Sequence, residues 1–130
     1  RETSPFYVYS NPITPGEAAA ALRAVELLDS EAGRDRLTHL RAMTERFREG
    51  LVRLGYETIP GLHPVVPLMV RDATRTRALA DHLRSQGVLA TGLHFPVVPH
   101  GEDEIRFQIS SDHRPADIDE ALAALASFPR

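Results

Sequence analysis

The residues best able to do chemistry lie in one run, V-V-P-H-G-E-D-E-I-R-F-Q-I-S-S-D-H, from Val97 to His113. Ile105, Phe107 and Ile109 alternate with Arg106, Gln108 and Ser110, a period of two that predicts a half-buried strand. Arg106 then sits on a rigid element, turned from the core, beside a Pro/Gly loop. A planar guanidinium held that way suits two-pronged capture of a carboxylate. An arginine left in solvent, or paired with Glu102, Asp103 or Glu104, fits the same pattern.

Six histidines raise the question of a metal. His39, His63, His82, His94, His100 and His113 form no H-x-x-x-H pair on a helix and have no cysteine nearby, so no metal site is expected. His39 and His82 fall within expected helices as surface or boundary residues. His94 and His100 flank the Pro/Val loop, where either could touch a ligand. His113 follows the strand and is expected to cap local backbone. No glycine-rich phosphate loop, nucleophile elbow or Ser/His/Asp arrangement appears. Tyr9, Ser10 and Asn11 precede a helix start at Thr14, where an anion would be welcome; ordinary turn chemistry explains Ser10 and Asn11 equally.

Two absences bound the chemistry further. There is no cysteine, which excludes disulfides and thiolate catalysis and is compatible with a reducing cytoplasm. All 15 basic residues are arginine, so nothing here forms a lysine Schiff base with a carbonyl group. Lysine-dependent chemistry has to come from polypeptide outside these residues, and the start at Arg1 is that expected of a piece of something longer. A net charge of −3 argues against nucleic acid as a partner. No apolar run approaches membrane-spanning length, so no membrane association is expected.

The elements that must position these residues follow from local pattern. Residues 1–13 carry Phe6, Tyr7 and Tyr9 in a Pro-punctuated setting and read as an extended interface arm. Thr14, Pro15 and Glu17 form a capping box for a helix over 18–28. A second helix is predicted over 34–54, with Leu37, Leu40, Met43, Phe47, Leu51 and Leu54 on one stripe and an Arg/Glu face for solvent. Gly55 fits its left-handed end. Residues 65–70 are a strand candidate that Pro67 confines to an edge or bulge. Asp72 caps a helix to Gln86 that Gly87 closes. Strands over 88–95 and 104–111 flank a rigid loop at 96–101, and Pro115 opens a last helix burying Ile118, Leu122 and Leu125. The expected architecture is α+β: two helices over 14–54, then 63–130 as a small, mostly antiparallel three-stranded sheet covered by helices.

These segments, in order and over essentially the whole chain, resemble the C-terminal part of the α-oxoamine synthases, acyl-CoA-dependent enzymes that use pyridoxal 5'-phosphate (PLP). The resemblance rests on Ser10-Asn11, on Phe95-Pro96-Val97-Val98-Pro99 with Gly101, and on Ile105-Arg106 through Ser110 to His113. Its wording is nearest the glycine C-acetyltransferase branch. It implies the C-terminal small domain of an aspartate-aminotransferase-like (fold type I) enzyme, spanning residues 1–130. It further implies a homodimer whose large domain carries the cofactor lysine, with an amino acid (glycine expected) and an acyl-CoA as substrates. On the same resemblance Arg106 holds the substrate carboxylate, while Ser10 and Asn11 reach the phosphate of the partner subunit's PLP. Pro12 stands where the family has serine, which leaves Asn11 the main phosphate donor. No catalytic residue is expected in this stretch, which alone should be inactive. A fold type I aminotransferase and a non-enzymatic α+β module for ligand binding or dimerisation are the competing readings.

Overall fold

The computed structural model describes residue 3 and residues 12–129. Ser10 and Asn11 therefore lie outside the described residues, as does nearly all of the expected arm. The chain divides into two compact units, Arg1–Asp35 and Arg36–Arg130.

In the first unit, helix α1 (Pro15–Leu28) begins as its residues dictate. The Thr14 hydroxyl accepts the Glu17 N–H at 3.3 Å, and a Glu17 carboxylate oxygen accepts the Thr14 N–H at 2.9 Å. Each satisfies an amide that the first turn cannot. No residue of α1 is buried. Helix α2 (Glu31–Arg53) starts three residues earlier than the pattern suggested. The reason is Ser30, whose hydroxyl accepts the Gly33 N–H at 3.2 Å. A Cβ on Gly33 would sit 2.6 Å from Leu28 backbone atoms, so the tight junction needs glycine there.

The second unit is a sheet with helices on one face. After Gly55, which takes the left-handed φ of 77°, come β1 (Glu57–Thr58), β2 (Val65–Met69), α3 (Ala73–Ser85), β3 (Thr91–Leu93), β4 (Glu104–Gln108) and α4 (Pro115–Ala126). The strand order is β1-β2-β4-β3, antiparallel throughout. The sheet thus has four strands, not three; β1 is two residues long and too short to leave a periodic signal. The strands predicted over 88–95 and 104–111 are shorter as well, ending where pairing ends. Pro67 behaves as expected of it. β1 pairs only with Leu68 and Met69, so Pro67 has one ladder neighbour, Arg106, and its missing N–H costs no bond on the other side.

Alternation along the strands sorts the two faces. Val66, Leu68, Ile105 and Phe107 are buried with Met43, Phe47 and Leu51 of α2, Leu79 and Leu83 of α3, and Ile118, Ala124 and Leu125 of α4. Phe47 meets Phe107 with ring centroids 4.8 Å apart. Gly50 lets α2 and α4 close together, because a Cβ there would enter the Leu122 side chain. Arg46 binds Asp119 through two bonds of 2.9 and 2.7 Å across the same pair of helices. These apolar groups gather on one face of the sheet; among the described residues of this unit no helix covers the other, and that open face is where Arg106 lies.

A candidate carboxylate site on the open face of the sheet

Register places the site's floor. Pro67 pairs with Arg106, and Thr91 pairs with Arg106 from the other side. One step along, Met69, Glu104 and Leu93 form the next row. Because same-face residues recur every two positions, Glu104 and Arg106 stand side by side on the open face. The Glu104 oxygen Oε1 accepts from Arg106 Nε at 3.0 Å and from Nη2 at 2.5 Å. The Glu104 side chain is only 7% exposed against 48% for Arg106. The carboxylate is therefore a fixed anchor, and the guanidinium is the half of the pair that a ligand can reach. Nη1 has no hydrogen-bond partner among the described residues.

Above this floor is a concavity of about 450 Å³. Arg48 of α2, the turn residues Ile59, Pro60 and His63, and Pro67, Glu104 and Arg106 all line it. The turn reaches there because β1 ends at Thr58 and the chain must return to Val65. The Thr58 hydroxyl donates to the Pro67 carbonyl at 2.6 Å, and the Val65 N–H donates to His63 Nδ1 at 3.1 Å. Arg48 Nη2 donates to the His63 carbonyl at 3.2 Å.

The expected neighbour of Arg106 was the loop at 96–101, and this needs correction. No residue of that loop lines the concavity. β4 lies between β2 and β3, the loop leaves from the far strand of the two, and the side chains that follow Leu93 find partners of their own. His94 Nδ1 lies 3.0 Å from a buried Asp103 oxygen, and Phe95 stacks on His100 at 3.9 Å. Of the three acidic residues offered as partners for Arg106, Glu104 takes the role. Asp103 goes to His94, and Glu102 joins Glu57 in holding Arg71. Arg71 is a non-glycine residue at φ 62°, pinned by its own and the Val70 N–H to the Asp103 carbonyl; its two carboxylate neighbours raise its pKa.

The other histidines take structural roles, as their positions suggested. His113 Nδ1 accepts the Ser110 N–H at 3.1 Å, capping the end of β4. His39 meets the His113 carbonyl, and His82 meets the Ala124 carbonyl and the Ser127 hydroxyl. Sequence reasoning missed Arg48, because it lies on the Arg/Glu face of α2 and its charge looked solvated. The available signal was its position next to buried Phe47, which turns a long side chain along the flank of the core rather than away from it.

Comparison with known proteins gives the chain a family and a fold. The 8-amino-7-oxononanoate synthase of Symbiobacterium thermophilum is 37% identical over 95% of this chain and 31% of its own length. The 2-amino-3-ketobutyrate coenzyme A ligase of Escherichia coli K12 is 34% identical over the same shares. The chain thus spans about a third of the length of the curated relatives it matches. Among solved structures, a serine palmitoyltransferase of S. paucimobilis with bound PLP–myriocin aldimine superposes with a TM-score of 0.83 at 19% identity, over 92% of this chain and 30% of that one. An 8-amino-7-oxononanoate synthase of Francisella tularensis gives 0.78 at 20%, over 96% and 36%. At such identities the superpositions speak for the fold alone, the α+β fold of the matching third of those proteins. The model of aminotransferase class I and II matches residues 1–125, so the chain belongs to that family.

Proposed function

We propose that this chain is the C-terminal, carboxylate-holding part of a PLP-dependent acyltransferase that joins an amino acid, glycine first, to an acyl-CoA. The observation that carries the reading is Arg106: a guanidinium anchored through Nε and Nη2 by a nearly buried Glu104, half exposed, and lining a concavity on an open sheet face. The named relatives support the reaction class, one by the coenzyme A in its name.

The described residues do not by themselves make a cofactor site. They offer no lysine amine to its aldehyde, and the walls at Arg106 are largely Ile59, Pro60, Val65 and Pro67. When bound, PLP supplies a sink for the electron pair left on the amino acid's Cα. The chain's own part is to hold the carboxylate and so to fix which Cα bond is presented for cleavage. The Cα–H bond breaks, a bond forms from Cα to the thioester carbonyl carbon, and the coenzyme A thiolate leaves and takes up a proton. Ser10 and Asn11 are assigned to the cofactor phosphate of the partner subunit, in a cytoplasmic homodimer.

The family also contains aminotransferases by its very description, and a carboxylate clamp serves them equally. The two readings differ in one product. The enzyme loaded with PLP and given glycine and acetyl-CoA should release free coenzyme A thiol only when both are present. Amino transfer to a 2-oxo acid without thiol release would instead establish the aminotransferase reading.

A further inference from the structure

We propose that Arg48 is the second cation of the carboxylate site, there because Glu104 has already neutralised the first. The inference rests on the reading of Arg106 above and adds a residue and a charge balance to it. Glu104 Oε1 engages both Nε and Nη2 of Arg106, and its side chain is too enclosed to swing into water. Separating that carboxylate from its partner would leave a buried charge uncompensated, a large cost. An incoming carboxylate therefore meets Arg106 at Nη1 with a like charge alongside. The pair alone has no net charge and attracts a third ion weakly.

Arg48 alters the balance. It lines the same concavity as Glu104 and Arg106, and with it the lining carries one positive charge in excess. That is the charge needed for one monoanionic carboxylate. Its placement is also costly for the fold. Nε of Arg48 is shut from solvent with no hydrogen-bond partner among the described residues, and a buried donor without an acceptor is destabilising. Only Nη2 is tied down, by the His63 carbonyl at 3.2 Å. A side chain kept at a cost, and lining the concavity proposed for the carboxylate, has its explanation in the ligand rather than in packing.

The test uses the PLP-loaded enzyme, with glycine as substrate and acetate as a competing carboxylate that carries no amine. Arg48→Gln removes the excess charge and keeps a donor for the His63 carbonyl. Glu104→Gln doubles the excess, and the double variant restores it to one. Affinity for both carboxylates should rank Glu104→Gln above wild type, wild type level with the double variant, and Arg48→Gln last, in steps of about tenfold, the scale of one hydrogen bond to a charged group. The glycine KM should move more than kcat. Arg48→Lys keeps the charge and should keep wild-type affinity; a tenfold loss there would overturn the charge balance. A purely structural Arg48 would lower the unfolding midpoint of Arg48→Gln, leave glycine KM and acetate inhibition alone, and gain nothing from Glu104→Gln. If Arg48→Gln leaves both constants unchanged while Arg106→Ala still raises the glycine KM, Arg48 is excluded and the clamp stands. If Arg106→Ala is also silent, the clamp itself is wrong.

Discussion

Arg106 is useful because part of it is already occupied. A free guanidinium on a strand samples several rotamers, and a ligand must restrict them at an entropic cost. Here Glu104 fixes Nε and Nη2, so that the remaining edge is aimed before any ligand arrives. Charge-assisted hydrogen bonds contribute about 1.5–3 kcal/mol each. Arg106→Ala in the whole enzyme should therefore raise the amino-acid KM by roughly ten- to a hundredfold and depress turnover, since a carboxylate that rocks no longer fixes the scissile bond. Arg106→Lys should recover little, because an ammonium offers no planar edge and would collapse onto Glu104. Steady-state kinetics in the amino acid decide it: an unchanged KM in Arg106→Ala removes the residue from the site.

At the scale of elements, the sheet that carries the site is backed by α4, which does not line the concavity, and the first turn of α4 is closed by a titratable latch. One Asp117 oxygen accepts the Arg114 N–H at 2.7 Å, and the other accepts Arg114 Nη2 at 2.8 Å. Bonding to the Arg114 side chain, then to its backbone, brings the Asp117 pKa from 3.8 down to about 2. The folded state thus resists protonation more than the unfolded one. The stability this contributes is complete above about 3.8 and is lost as pH falls from there towards 2. Asp117→Asn should show a shallower decline of the urea midpoint than wild type across that window; parallel declines would mean that the latch contributes nothing. The same helix shows what local pattern can carry. Its start at Pro115 and its buried Ile118 and Leu125 were legible, as were the three earlier helices and the strand of Arg106, because periodicity and capping are written within a few residues. The partner strand of Arg106 was not. Register between β2 and β4 joins residues some forty positions apart, and the flank formed by Ile59, Pro60 and His63 depends on it, whereas the loop at 96–101 is near Arg106 only along the chain.

For the whole molecule, the absence of lysine decides what this chain can and cannot contribute. Fifteen arginines and no lysine give it abundant guanidinium for carboxylates and phosphates and no internal amine with which to hold an aldehyde. The chain spans about a third of its curated relatives, and its candidate site is a floor on an open sheet face rather than an enclosed pocket. On the proposed reading, the carboxylate clamp is one half of a composite site whose cofactor anchor lies in other polypeptide. Labelling separates the halves without any assay of turnover. PLP mixed with this 130-residue chain and then reduced with borohydride should leave no pyridoxyl group on any internal residue, once the terminal α-amine is blocked. The whole enzyme treated alike should carry one on a lysine outside these residues, found by peptide mass mapping. The first result holds whether or not the chain is folded, since no side-chain amine exists to react, and so it is a control on the chemistry. The second is the decisive one: a whole enzyme that takes up no reducible PLP would end the cofactor reading and leave Arg106 as a carboxylate site in search of other chemistry.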